Sequence, residues 1–535
     1  MTFTRYIKNK DKVYVYSVRS YREKGTGKVK QKTRYMGKEV MRDGKTILLP
    51  PKHRRVGVKK ILSFGSPMAL YRLADNFGLP RIINEAVEGC TGIADTGKKI
   101  IALAINKVLS NDGIEGMNQW FCSTSLPEHT GLPSDSFTPK KVRNIYAVLS
   151  SENPDIIGMI EQGILDQVRK THPEELSTLI YDLTDLTFYG TVNGLAKYGH
   201  AYQRNGNEKQ INLMLAVTKN RKLPIHHRIL PGNIVSVSTI RRFASELKSA
   251  KIKDIVAVLD RGFYSKQNMV EMESAECKVI GALPSTLNIH KKVLDQSKDI
   301  EHPRHYLIYN NEVLFAMEHE IDGKRLISYH SPTKHARELE HFYASLDERE
   351  QYLKGHKTTT HDSKEDVLEE LIEVCRPHQE CFRCTPKETD SGWQSSYELL
   401  HDAVQKQTWR MGKTVLFTTT SLPTKEILQI YREKDVVDKT FRLMKQRGLT
   451  PVNASTEDTT KANGALAVLG YLLLALLRSR LEEGKKTNEE MVSLEKTLAL
   501  LDDVKEVVYP DGSTTLVDIT KEQEEILDKI GVVLK

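Results

Sequence analysis

Two aspartates stand where an apolar run would not carry a charge without a use for it. Asp182 interrupts Leu179-Ile180-Tyr181-Asp182-Leu183, and Asp260 ends Ile255-Val256-Ala257-Val258-Leu259, the most apolar strand-like run of the chain. A carboxylate buried alone is costly, so each must meet a cation or lie at an open edge. Acids at the carboxyl ends of parallel strands sit where open α/β sheets place their ligands. Taken singly, either acid reads first as a helix cap or a surface turn; together they suit a shared cation. Two carboxylates can hold divalent cations, but two-metal phosphoryl chemistry usually wants a third.

The third is sought on the helix pattern Ile430–Lys445. Around Asp438, Tyr431 and Lys445 lie one heptad away on either side and Lys434 lies one turn before, so all four share a face. That stripe combines an acid for metal with a phenol and two cations for phosphate. Glu433 falls about 140° around the helix and is a poor partner, whereas Asp435 is nearer and stays open. The plain alternative for Asp438 and Lys434 is a solvated ion pair of well under ~1 kcal/mol.

Other reactive residues carry less. Cys375-x2-His378-x2-Cys381-x2-Cys384 offers four soft ligands, but structural zinc sites usually space two ligand pairs about a dozen residues apart, so a reduced helix or loop is the first reading. His226 and His227 are adjacent on a strand pattern and should point to opposite faces, against a shared metal site. With six scattered cysteines, no secretory signal at the basic start and a longest apolar run (Ala465–Leu477) too short to span a bilayer, a cytoplasmic protein without membrane contact is expected.

Positioning these residues takes a large fold. The 535 residues, 39% hydrophobic and 28% charged, exclude disordered or fibrous classes and predict several domains. Residues 1–60 hold 19 Lys and Arg against 4 Asp and Glu, while the remainder is net acidic, 60 against 66. Such concentration is an electrostatic footprint for a polyanion. Val13–Val18 and Lys30–Met36 read as a hairpin around Gly25-Thr26-Gly27, with Arg19, Arg22, Lys24, Lys28, Lys30, Lys32 and Arg34 on or beside its arms. Residues 61–175 are helical; Thr138-Pro139 starts a helix whose Lys140, Lys141 and Arg143 suit DNA or plain solvent alike. Strands over 178–188, 210–218 and 223–230, then helix, strand, helix and strand to 283, give the order of an RNase H-like core. Residues 289–413 read as an insertion, 414–480 as the resumed core with the third acid, and 481–535, with 14 acidic and 7 basic residues, as an acidic tail.

At this point the chain resembles a family: the DDE-type insertion-sequence transposases of the RNase H-like/retroviral integrase superfamily, in the group with the signature Tyr-x2-Arg-x3-Glu-x6-Lys. Tyr431, Lys434, Asp438 and Lys445 occupy the matching positions, Tyr181-Asp182-Leu183-Thr184 resembles the first-acid strand, and Asp260-Arg261-Gly262-Phe263 the second. Two positions depart from the signature. Lys434 stands for arginine, losing a bidentate fork, and Asp438 for glutamate, one methylene shorter. The resemblance implies that Asp182, Asp260 and Asp438 hold two Mg2+ ions, for which Mn2+ substitutes. It implies that Tyr431, Lys434 and Lys445 meet DNA, that Arg261 contacts DNA or braces the acid strand, and that the basic hairpin and the helical region bind terminal repeats. Double-stranded DNA and a homodimer in a synaptic complex are the expected partners. The implied activity is cleavage at the element's ends followed by strand transfer; the alternatives are an impaired DNA-binding descendant and a nuclease that cuts without joining.

Overall fold

Strand-length runs that are apolar on both sides can only be satisfied in the middle of a covered sheet. The computed structural model describes residues 2–9, 12–22, 29–42, 45–49, 57–190, 194–199, 208–233, 256–259, 261–356, 363–390, 392–434, 438, 441–442, 445, 454, 456–483 and 493–534. The N-terminal residues form a four-stranded antiparallel sheet: β1 (Thr2–Asn9), β2 (Lys12–Arg22), β3 (Val29–Arg42) and β4 (Lys45–Leu49). β5 (Lys60–Ser63) leads into seven helices: α1 (Gly65–Phe77), α2 (Leu79–Ala86), α3 (Thr96–Leu109), α4 (Met117–Cys122), α5 (Leu126–Thr130), α6 (Pro139–Leu149) and α7 (Ile156–Thr171). The start of α6 falls at Pro139 as Thr138-Pro139 predicts, although the Thr138 hydroxyl makes no capping bond.

The sheet follows with β6 (Thr178–Phe188), β7 (Lys209–Thr218), β8 (Pro224–Pro231), β9 (Val256–Leu259), α8 (Lys266–Ser274) and β10 (Lys278–Ala282). Helix α9 (Asn288–Asp295) precedes β11 (Tyr306–Tyr309), β12 (Glu312–Ile321) and β13 (Lys324–His330). Next come α10 (Pro332–His356), α11 (Lys364–Cys375), β14 (Phe382–Thr389), β15 (Gly392–Leu399), α12 (His401–Arg410), β16 (Lys413–Thr418) and α13 (Thr424–Arg432).

Nine strands join in the order β11-β12-β13-β16-β10-β9-β6-β7-β8. Within it, β8-β7-β6 are antiparallel neighbours, and β9 and β10 run parallel to β6. That is the RNase H-like mixed sheet the element order predicts. Nearly every residue of β7 is buried, which explains its apolar run Leu213–Val217. Part of the span read as an insertion belongs to this sheet: β16 lies antiparallel between β10 and β13 and draws β11–β13 into it. A second, separate apolar cluster, with Phe342, Leu346, Val367, Leu371, Cys375 and Phe382, sits in α10, α11 and β14.

The chain closes with α14 (Glu457–Glu482), α15 (Leu494–Asp502), β17 (Lys505–Val508), β18 (Thr514–Leu516) and α16 (Lys521–Ile530). Helix α14 is long and apolar enough to cross a membrane, yet most of its apolar window is buried against α3, α6 and β8. A Cβ at Gly470 would strike Val108 on α3, so glycine sets the closeness of that crossing. The acidic C-terminal residues supply β17, which pairs antiparallel with β5, and α16, which packs on α1. Arg72 and Asn76 of α1 donate to the carbonyls of Gly531 and Ile530. One apolar core runs from Phe64 to Val532, so the N-terminal helices and the sheet share it.

His226 and His227 depart from the expectation of opposite faces. Both rings meet one carboxylate, Glu161 of α7, at 2.9 and 2.6 Å, and the His227 backbone N–H donates to it at 2.7 Å. The reason is that β8 is the last strand of the sheet: a group beside an edge strand is reachable from both faces, and it also caps an otherwise open edge. The ladder slips one residue at Ile225, which breaks the simple alternation. Burial alone would push the Glu161 carboxyl up, but the imidazoles of His227 and His226 hold it well below the usual range. Its contribution to stability is therefore fully present above the unfolded pKa of about 4.3 and is lost as the pH falls further. Glu161→Ala leaves the edge uncapped and is expected to cost about 3 kcal/mol in urea unfolding at neutral pH. Below pH 4 the difference from wild type should narrow; a loss under ~1 kcal/mol at neutral pH would make the contact incidental.

Candidate active site

The first acid strand is fixed by its two neighbours. Asp182 lies opposite Leu215 of β7 in the ladder, and Ile180, two residues before it, lies beside Val258 of β9. Asp260 follows Val258 by the same two residues, so equal chain offsets separate the two acids from a paired position. Asp260 itself lies outside the described residues.

The turn that follows is pinned from three sides. Arg261–Phe263 forms a short 3-10 turn, and the Phe263 ring packs edge-on against the fully buried Tyr181 ring, centroids 4.9 Å apart. The Asn268 amide donates to the Phe263 carbonyl at 2.8 Å, and the Ser265 hydroxyl caps α8 by accepting from the Asn268 N–H at 3.0 Å. A residue next to the first acid thus grips the turn after the second. Ser265 as a helix cap is visible in the sequence; Asn268 is not, because its partner is a backbone carbonyl.

The closing helix reaches the same strand. After α13, residues Lys434, Asp438, Phe441, Arg442 and Lys445 are described. Lys434 Nζ lies 3.8 Å from Asp438 Oδ2, the i,i+4 pair expected of that stripe, with the lysine side chain buried and the aspartate half exposed. Phe441 is buried against Tyr471 of α14, which holds the helix to the core. Lys445 Nζ comes within 3.9 Å of Asp185 Oδ2 on β6. Sequence reasoning missed Asp185, although its place three residues beyond Asp182 on the same strand was a signal. Glu433 turns away from the stripe and pairs with Lys222 at 3.3 Å, as its helical angle predicts; Asp435 lies outside the described residues.

Tyr431 opens onto a cleft of about 720 Å3 between the sheet and the start of α10. Lys291, Lys334, Arg337, Arg410, Lys413 and Arg432 line it against Glu312 and Glu338. Arg432 pairs with Glu312 at 2.6 Å and covers the Tyr309 ring. Burial would raise the Glu312 carboxyl, but the Ser331 hydroxyl and the Arg432 guanidinium keep it below its ordinary value. No sequence motif marks this cleft, because its cations come from separate elements.

The outlying cations fall into two groups. Arg19, Arg22, Lys30, Lys32 and Arg34 are exposed on β2 and β3. Arg19 faces Lys32 directly, and Lys30 and Arg34 flank Lys32 on the same side at about 7 Å along the strand. Like charges directly opposite are unfavourable without an anion between them. Lys24 and Lys28 lie outside the described residues. On α6, Lys140 is exposed, while Lys141 pairs with Asp135 at 2.7 Å and Arg143 with Glu115 at 2.6 Å.

The Cys375–Cys384 stretch is not gathered as a metal site. His378 Nε2 turns to the Ser345 hydroxyl at 3.0 Å, and among the described residues no three acids, histidines or cysteines are placed to hold an ion. For the three aspartates the fit rests on donor chemistry: carboxylate oxygens suit hard divalent cations.

A sheet of this order, three antiparallel strands (β8-β7-β6) followed by β9 and β10 parallel to β6, is that of the RNase H-like class. The transposase DDE domain family matches residues 173–473, more than half of the sequence, and the chain belongs to that family. Membership supports DNA transposase activity, and the family generally uses divalent metal ions. Among solved structures, the piggyBac transposase synaptic complex with hairpin DNA, determined by cryo-EM, is similar at 11% identity and a TM-score of 0.36, over 82% of this chain and 79% of that one. No curated protein matches the sequence.

The ring pair gives a direct test of the pinned turn. Phe263→Ala should cost about 3 kcal/mol or more in chemical denaturation, as buried aromatic truncations do. A cost below ~1 kcal/mol would show that the turn is held without it.

Proposed function

We propose that the chain is a DNA transposase that cleaves at the ends of its element and joins the freed 3′-hydroxyl to target DNA by in-line phosphoryl transfer. The observation that carries this reading is the approach of Lys445 to Asp185, which brings the closing helix of the signature onto the first acid strand. Asp182, Asp260 and Asp438 would hold two Mg2+ ions, with Mn2+ able to replace them, and these would supply an activated nucleophile and a stabilised leaving oxygen.

The remaining work falls to the protein's own side chains. Lys445 would present a point charge to the phosphates flanking the scissile bond, and Lys434, buried beside Asp438, would have to turn out from that pair to do the same, without the planar fork of an arginine. Tyr431 sits at the mouth of the cationic cleft, where its ring and hydroxyl can hold a terminal nucleotide. Asp438, a methylene shorter than glutamate, requires its helix to lie closer to the acid strands. Arg261 follows the second acid directly and would contact the DNA beside it. The exposed row Arg19, Lys30, Lys32 and Arg34, with Arg22 at the end of β2, would bind terminal-repeat DNA, and Lys140, Lys141 and Arg143 of α6 would add to it by exchanging Asp135 and Glu115 for phosphates. Two ends must meet before strand transfer, so the working species would be a homodimer on double-stranded DNA.

The decisive assay offers the DNA flanking the encoding gene to wild type, Asp182→Ala, Asp260→Ala and Asp438→Ala in Mg2+ or Mn2+. End cleavage and covalent joining are expected for wild type, with each substitution lowering the rate by about 10³-fold or more. Cutting without joining would make the protein a nuclease, and binding without cutting an impaired descendant.

A second test addresses the basic sheet. Replacing Arg19, Lys30, Lys32 and Arg34 by alanine should weaken binding to all DNA sequences and flatten the dependence of log K on log salt, by about 0.9 for each phosphate that is no longer neutralised. An unchanged slope would remove this sheet from the DNA path.

A further inference from the structure

Two thiols of the separate subdomain are already in contact. Cys375, the last residue of α11, and Cys384, on β14, place their sulfurs 3.4 Å apart. Cys375 is buried in the apolar cluster of α10, α11 and β14, whereas Cys384 is half-buried and open to solution on one side. A disulfide needs sulfurs about 2.05 Å apart, so the pair must close by roughly 1.4 Å, within reach of side-chain rotation and a small hairpin shift. The Arg349 guanidinium of α10 acts on the Cys375 sulfur and offsets part of the rise in that thiol, which assists the second, resolving attack.

We propose that Cys375 and Cys384 form a dithiol site that a low-molecular-weight disulfide oxidises to an intramolecular disulfide. The difference in exposure sets the order of events. Cys384 loses its proton, and its thiolate attacks one sulfur of the incoming disulfide; that bond breaks and the first small thiol leaves with the proton. The Cys375 sulfur then attacks the Cys384 sulfur of the mixed disulfide and expels the second small thiol, protonated by the proton Cys375 gives up. The protein loses two hydrogens and two electrons, and one disulfide becomes two thiols. The hydrogen bond from Cys375 lowers the Cys384 thiol, which agrees with Cys384 as the attacking group. The same contact, with burial, raises Cys375. The bridge closes the Arg376–Arg383 segment into a loop and ties the end of α11 to β14, fixing the angle between the helix and its hairpin.

The experiment uses the full chain and oxidised glutathione, followed by alkylation under denaturing conditions and peptide mass mapping. Alkylatable thiols are expected to fall from six to four, with one linked peptide pair containing Cys375 and Cys384 and a mass lower by two hydrogens. Cys375→Ser should stop the reaction at a stable glutathione adduct on Cys384. Six thiols remaining, a lasting adduct on wild-type Cys384, or a bridge to Cys381 would each overturn the proposal. One equivalent of bound zinc that protects the pair from oxidation would overturn it too. The outcome is independent of the DNA chemistry, because it is read on the protein alone.

Discussion

The parallel pairing of β6 with β9 is the constraint on which the rest of the molecule depends. Ile180 beside Val258 sets the register of β6 on β9, and a one-residue slip of β6 would exchange the residues on its two faces. Every larger feature protects that register. β7 and β8 cover one side of β6, β10 and β16 brace β9, and the buried Tyr181 ring locks the turn beyond β9 to the strand beside it. Parallel strands offer no tight turn to set their register, so packing must do it. The long apolar helix α14 contributes by joining the N-terminal helices, β8 and the Phe441 side of the closing helix in a single core.

Electrostatics arrange the molecule in a different way. The buried charges that are paired, such as Glu161 with its two histidines and Lys222 with Glu433, act as fasteners between elements distant in sequence. The cations of the open surfaces follow the opposite logic. On the N-terminal sheet they face one another, and in the cleft beside Tyr431 they outnumber their acids. Such surfaces have little to gain from the folded chain alone and much from an added polyanion. Lys445 stands between the two regimes, next to an acid yet at the edge of the proposed site.

Much of this was legible in the sequence because it is written locally. The apolar runs around Asp182 and before Asp260, the order of strands and helices, and the heptad spacing of Tyr431, Asp438 and Lys445 need only nearest-neighbour geometry. The helical angle of Glu433 likewise anticipated its turn away from the stripe. What could not be read depends on pairing across long stretches of chain. β11 and β12 have the half-exposed pattern of any hairpin, and only β16, more than eighty residues after β13, shows that β11–β13 extend the core sheet. His226 and His227 are adjacent, yet the slip at Ile225 and the edge position of β8 let one carboxylate serve both. Asp185 and Asn268 escaped notice for a similar reason, as each acts through a partner brought in by the fold.

The pairing of β5 with β17 gives the chain a particular relation to its own synthesis. β5 follows on the basic sheet, and its partner strand is built from residues 505–508, more than four hundred residues later. A ribosome that has made the helices and most of the catalytic sheet still holds the strand that covers this edge. The segment joining the basic sheet to the body is therefore completed late, and a chain broken off before residue 505 leaves that strand with bare amides. Synthesis through residue 508 thus becomes a condition for completing the sheet of β5, β17 and β18, which closes only when nearly the whole chain has been made.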